Sequence, residues 1–331
     1  MAEIVVGLGT SHTPQMSSSA ELWEGHAERD QRNPNLLAAD GEYYRYEQLL
    51  EHADASIASQ LTLEVRQAKF DRAQQAVEKL ANRLAEAAPD VVVIVGDDQR
   101  ELFGEEGNPA VGLFLGEQLW DRGINSERIA RMPADVRPAQ WAAHAEQPDA
   151  YPVSAELSGH LARSLTEDDF EVTVFSAQRE AATLGHAFTF VRRRLGLPVT
   201  TPIVPVLLNT YFPPNVPSPG RCFALGAAIR RALAAWPGHE RVAVMASGGL
   251  SHFVVLEDFD RQVLDAFRAH DERALASIPR RYFRSGTSEV LNWITVAGAV
   301  DGAEMDLVDY IPGYRSPAGT GTGMGFVTWR P

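Results

Sequence analysis

The sequence is poor in cysteine, in surplus basic charge and in long apolar runs. Its single cysteine, Cys222, excludes an internal disulfide framework and a zinc site built from thiolates. Thirty Lys and Arg stand against 44 Asp and Glu, a net charge of −14. That balance argues against nucleic acid and anionic membrane surfaces, which attract cationic faces. No apolar stretch approaches the roughly 20 residues needed to span a bilayer. The opening residues Met1-Ala2-Glu3-Ile4 carry neither the basic nor the apolar segment of a secretion signal, so the expected location is the cytoplasm. Several catalytic signatures are missing too. There is no phosphate-binding G-x-x-x-x-G-K-[ST], no zinc-binding H-E-x-x-H and no G-x-S-x-G nucleophile elbow. Gly7-Leu8-Gly9 begins like a dinucleotide loop, but His12 stands where the third glycine belongs.

What is present is the material of a globular protein. The chain has 331 residues, 45% hydrophobic and 22% charged, enough to bury a sizeable core. Ile4–Leu8, Val91–Val95, Val172–Phe175, Ile203–Leu208 and Arg241–Ala246 read as strands. Pro205 interrupts the fourth and suggests an edge position or a bulge. Residues 62–88 form the clearest helix, with Ala73, Ala76, Val77, Leu80 and Leu84 on one face. Further helical patterns lie at 154–165 and 223–236, and near 257–270 and 287–299, while residues 178–195 carry a loop and a helix. Residues 104–150 read as loops and short strands, and the glycine-rich tail from Ser316 to Gly325 as turns. Strands alternating with helices predict one α/β domain over 1–331: a three-layer sandwich whose central sheet is largely parallel or mixed.

Three polar motifs follow predicted strands: Ser11-His12, Asp97-Asp98-Gln99 and Ser251-His252. In open α/β sheets, ligands gather beyond the carboxyl ends of the strands, so a shared sheet would bring the three together. Taken singly, His12 and His252 suit either solvated caps or metal ligands and proton carriers. Asp97 and Asp98 suit either a helix cap or a metal site. Cys222, on an amphipathic helix, reads as a packing residue.

Six segments in order, Gly9–His12, Val91–Phe103, Asn209–Pro214, Arg221–Gly226, Ser247–His252 and Gly286–Trp293, give the chain a family resemblance. It resembles the class III extradiol ring-cleaving dioxygenases, the family of the catalytic subunit of protocatechuate 4,5-dioxygenase. It is similar in particular to single-chain members of the 3-O-methylgallate dioxygenase type. The resemblance implies one non-haem Fe(II), a small catecholic substrate and O₂. It implies His12 and Glu289 as metal ligands and His252 as the acid/base. It also implies His186 as a catalytic, substrate-contacting histidine, with Asn209 and Tyr211 beside the substrate. Arg315 is a further candidate for a substrate carboxylate, because its fork matches that geometry.

One position departs from the family pattern. Where the second histidine ligand belongs, this chain has Gln99, a neutral and weaker oxygen donor. The expected metal set is therefore His12, Glu289 and Gln99, with Gln99 bound directly or through a water. A substitute such as His52, or loss of the iron, are the alternatives. Rival readings of the whole are a hydrolase using Asp97, Asp98 and His12, and a non-catalytic subunit that kept the fold. A helical insertion at about 17–88 is expected to act as a lid or as a homodimer interface.

Overall fold

A computed structural model describes residues 1–123 and 126–331. Nine strands form the main sheet. In chain order they are β1 (Glu3–Thr10), β2 (Val91–Gly96), β3 (Val111–Phe114), β4 (Thr173–Phe175), β5 (Ile203–Leu208), β6 (Arg241–Ser247), β7 (His252–Val254), β8 (Glu304–Tyr314) and β9 (Thr320–Arg330). The spatial order is β7-β9-β1-β6-β2-β5-β3-β4, and β8 also pairs with β9. The central block β1, β6, β2 and β5 is parallel. β9 and β3 flank it in the antiparallel sense, so the sheet is mixed.

The helices that matter below are α1 (Trp23–Asp30), α2 (Tyr46–His52), α3 (Leu63–Ala87), α4 (Ala155–Glu167), α5 (His186–Leu195), α6 (Pro219–Ala235), α7 (Glu257–Arg268) and α8 (Val290–Ala299). They cover both faces of the sheet, as the period-two pattern of β2 requires. Val91, Val93 and Val95 join one core with Leu161 of α4, Ile229 of α6 and Ile294 of α8. Val92 and Ile94 join the other with Leu80 of α3 and Phe188 of α5. Each fully buried side chain of this size contributes about 1.5–3 kcal/mol. The result is the expected α/β/α sandwich.

Helix α3 follows its sequence signals closely. Thr62 Oγ1 accepts from Val65 N at 3.3 Å and caps its start. Ala88, left-handed at φ 40°, ends it just before Pro89. Its apolar face packs on the sheet, so within the 17–88 segment α3 is a layer of the sandwich.

Two local expectations are corrected. β5 is an interior strand, between β2 and β3. Pro205 is tolerated there because Pro202 O accepts from Val92 of β2, whereas Ile203 O accepts from Ser154 on the opposite side. By the alternation of a strand, Pro205 shares the side of Ile203, and its missing N–H takes nothing from the β2 ladder. The glycine-rich tail is mostly strand: Thr320–Arg330 is β9, which pairs with β1, β7 and β8. Its glycines permit close approach, since a Cβ on Gly323 would overlap the Asp260 carboxylate. In the 104–150 stretch, β3 and the short pair Gln118–Asp121 and Asp149–Pro152 match the expectation, and Ser126–Arg131 adds a helix. Residues 124 and 125 of that stretch lie outside the described residues.

Candidate metal centre

The three polar motifs meet because β1, β6 and β2 are adjacent and parallel, so their carboxyl ends share one edge. His12 follows β1, Asp97 to Gln99 follow β2, and the loop after β6 leads to His252 at the start of β7. Glu289 enters from another direction, at the end of a short 3₁₀ turn that runs into α8. His12, Gln99, His252 and Glu289, together with His186 and Tyr211, line a cavity of about 320 Å³, whereas Asp97 and Asp98 are not in its wall. That volume suits a small organic ligand.

Glu289 is the hub. Its Oε2 lies 3.3 Å from His12 Nε2 and its Oε1 lies 3.3 Å from His252 Nε2. Gly249 N donates to Oε2 at 2.6 Å, and the Tyr211 hydroxyl donates to Oε1 at 3.2 Å. Burial opposes ionisation of Glu289, but His252 and His12 beside it hold its pKa well below the usual value. Asp97 moves the other way. Burial, then the charge of Glu289, pushes it up to about 7. The His12 pKa is lowered, because burial outweighs the attraction of Glu289. The ring is therefore neutral near pH 7, as a ligating imidazole must be.

The other two histidines are oriented by their second ring nitrogen. His252 Nδ1 lies 2.8 Å from Leu250 O, which leaves Nε2 as the basic atom facing Glu289. Burial disfavours its charge, but Glu289 prevails and raises its pKa. His186 Nδ1 lies 2.7 Å from Glu101 Oε2. Burial again works against charge, yet Glu101 brings the His186 pKa up to about 9. Glu101 also meets His144 Nε2 at 3.1 Å, and His144 Nδ1 meets Asp121 Oδ1 at 3.0 Å. A buried chain Asp121–His144–Glu101–His186 thus ends against His12, whose ring lies 4.7 Å from that of His186.

One atom each of His12, Asp97 and Glu289 lie within 4.8 Å of one another, a spacing that one metal ion can bridge. Burial and the repulsion between Asp97 and Glu289 together raise the Asp97 pKa, and a bound cation would relieve that repulsion. Among the described residues, no Lys or Arg donates to either. Asn292 Oδ1, on the amide whose nitrogen donates to Asp97 Oδ1 at 3.3 Å, is buried without a partner among the described residues. The donor set therefore fits a metal.

The family model described as "Catalytic LigB subunit of aromatic ring-opening dioxygenase" matches residues 55–325. The chain belongs to that family. A gallate dioxygenase of Pseudomonas putida (strain KT2440) is 31% identical over 160 residues, which is 44% of this chain and 45% of that protein. The match thus spans less than half the length of this relative. No helix among the described residues is long and apolar enough to cross a membrane.

Within this frame, the sequence-predicted residues separate. His12, Gln99, His186, Tyr211, His252 and Glu289 all reach the cavity. Asn209 does not line it. Its side chain shapes the following loop, donating to Phe212 O and Asn215 Oδ1 and accepting from Phe212 N. Arg315 lines the cavity, but Asp30 occupies its fork and Gln15 accepts from its Nη1. His52 is exposed on α2 and is not among the cavity residues, so it does not replace the missing histidine. Asp98 is spent on its own turn, accepting from the backbone of Glu101, Leu102 and Phe103. The hydrolase set of Asp97, Asp98 and His12 thereby loses a member. Cys222 is buried and its thiol pKa is pushed up to about 12, in keeping with a packing role.

Sequence reasoning overlooked Glu101, His144, Asp121 and Arg29. Arg29, exposed on α1, lines the cavity and makes no side-chain hydrogen bond or ion pair among the described residues. Glu101 carried a faint signal, two residues beyond Gln99 in one turn. The other three lie in stretches without a motif.

Proposed function

We propose that this protein is an Fe(II)-dependent extradiol-type dioxygenase that opens the ring of a gallate- or methylgallate-like catechol with O₂. The observation that carries the reading is the meeting of His12 and Glu289 with His252 at one cavity, from three separate chain segments. Family membership supports ring-opening chemistry, and the gallate dioxygenase relative supports a trihydroxylated aromatic acid as the substrate class.

His12 and Glu289 would hold the iron. Bound iron(II) supplies a Lewis-acid centre that makes catechol hydroxyls acidic and is open to O₂. The remaining residues handle protons and orientation. His252 accepts a substrate hydroxyl proton at Nε2, since Nδ1 is committed to Leu250 O. It returns that proton later in the reaction. His186, anchored through Nδ1 by Glu101, donates from Nε2 to a ring oxygen. Tyr211 keeps its proton, because burial and then Glu289 hold its pKa well above the usual value. Its hydroxyl steadies Glu289. Arg29 and Arg131, both in the cavity lining, are the arginines that could meet a substrate carboxylate.

The test is anaerobic loading with Fe(II), followed by oxygen uptake and absorbance scans with gallate, 3-O-methylgallate and protocatechuate. A ring-opened chromophore formed with stoichiometric oxygen uptake is the expected result. Iron-loaded protein that takes up no oxygen with any of the three overturns the reading.

A further inference from the structure

We propose that Asp97 supplies the third protein donor to the metal, and that Gln99 braces the two carboxylate ligands without binding the ion itself. This rests on the reading of the site as a metal centre and changes which residues build it.

The geometry of Gln99 is the first argument. Its Nε2 donates to Asp97 Oδ2 at 3.2 Å and to Glu289 Oε1 at 3.2 Å. An amide that bridges two carboxylates turns its N–H groups toward them, and an N–H group cannot ligate a cation. Gln99 therefore joins Asp97 to Glu289, as a hydrogen-bonding partner does for ligands it does not replace.

The position of Asp97 is the second. It is 1% exposed, and a carboxylate oxygen of Asp97 lies within 4.8 Å of ligand atoms of both His12 and Glu289, close enough to share one ion. Asn292 holds it in place, since its Nδ2 donates to Asp97 Oδ1 at 3.3 Å and to Ser247 O at 3.1 Å. Ser247 in turn meets His12 Nδ1 at 3.1 Å through Oγ, which fixes the ring with Nε2 toward Glu289. The three donors are thus tied together by Gln99, Asn292 and Ser247.

The charge balance is the third. One imidazole and two carboxylates neutralise a divalent ion, whereas two imidazoles and one carboxylate leave a positive charge. An oxygen-rich set of this kind suits Fe(II) or Mn(II).

The experiment uses the full chain, stripped by chelation and titrated anaerobically with Mn(II) or Fe(II). Free Mn(II) is followed by electron paramagnetic resonance and metal-induced stabilisation by thermal melting. The variants are Asp97→Asn, Asp97→Glu and Gln99→Ala. In Asp97→Asn, affinity should fall by more than about 100-fold and the metal-induced rise in Tm should vanish. Gln99→Ala should lose about tenfold, within the range for partners that only orient ligands. Asp97→Glu keeps the carboxylate and should bind between wild type and Asp97→Asn. Metal-free Asp97→Asn should keep the wild-type circular dichroism spectrum and a cooperative melt, although its NH₂ group now faces one of the donors Gln99 and Asn292. This separates loss of a ligand from loss of the fold.

Wild-type affinity in Asp97→Asn, or a larger loss in Gln99→Ala, overturns the assignment and leaves the metal centre standing. Wild-type protein that takes up neither Fe(II) nor Mn(II) removes the metal reading, and this assignment with it.

Discussion

Arg315 and Asp30 face each other fork to fork, with Nε 2.6 Å from Oδ2 and Nη2 2.7 Å from Oδ1. Both side chains are buried, and the pair fastens the end of α1 to the segment between β8 and β9. The guanidinium at the cavity wall is thus already satisfied.

Removing one partner should therefore act on stability first. Arg315→Met leaves an uncompensated buried carboxylate, which costs about 3–5 kcal/mol. Urea denaturation should show the loss. Arg315→Lys should recover only part of it, because a point charge cannot satisfy both oxygens. An effect on KM with no effect on stability would return Arg315 to the substrate.

Glu101 should position His186. Glu101 receives His186 Nδ1 at 2.7 Å and His186 N at 3.1 Å. Glu101→Gln should lower kcat/KM by roughly 10- to 100-fold, the scale of a misplaced catalytic group. Affinity for Mn(II) should stay within a few-fold of wild type, since Glu101 touches none of His12, Asp97 or Glu289 in the hydrogen bonds of the site. Equal losses in metal affinity and turnover would contradict a positioning role.

His26 predicts an acid limb in stability. It lies 2.8 Å from Asp135 O and 3.2 Å from Ser18 Oγ through Nε2. Burial, then the charge of Arg315, lowers its pKa to about 4. Between the ordinary value of 6.5 and this one, the unfolded chain binds a proton that the folded chain refuses. Stability from this residue is thus full above pH 6.5 and falls as the pH drops to about 4. The loss should total about 3 kcal/mol. Denaturation midpoints from pH 7.5 to 4.5 should flatten in His26→Gln relative to wild type.

Gly226 lets two core helices touch. A Cβ there would overlap the Thr295 carbonyl, joining α6 to α8 through backbone rather than through a flexible side chain. Gly226→Ala should cost at least about 1–3 kcal/mol from overpacking. Because α8 begins directly after Glu289, the melting temperature and metal affinity should fall together.

The sequence alone was enough to place the sandwich and its working edge. Val91–Val95, the 62–88 helix and the strand-ending motifs at His12 and His252 are local patterns, and local patterns decide which elements form. The tertiary structure decided which partner each polar group meets. Pro205 reads as an edge residue until the pairing of β5 shows which side its missing N–H faces. The glycine-rich tail reads as turns until Asp260 and its neighbouring strands reveal why side chains are excluded there. Asn209, Arg315 and Asp98 looked available for chemistry, yet each is consumed by loop, carboxylate or turn contacts. The placement of Gln99 is of the same kind. Asp97 and Gln99 follow one strand, but only the closed chain sets the Gln99 amide between Asp97 and Glu289, nearly two hundred residues away in the chain. Hydrogen bonds and ion pairs act over about 3 Å in space regardless of separation in sequence, so side-chain roles emerge only once the chain has closed on itself.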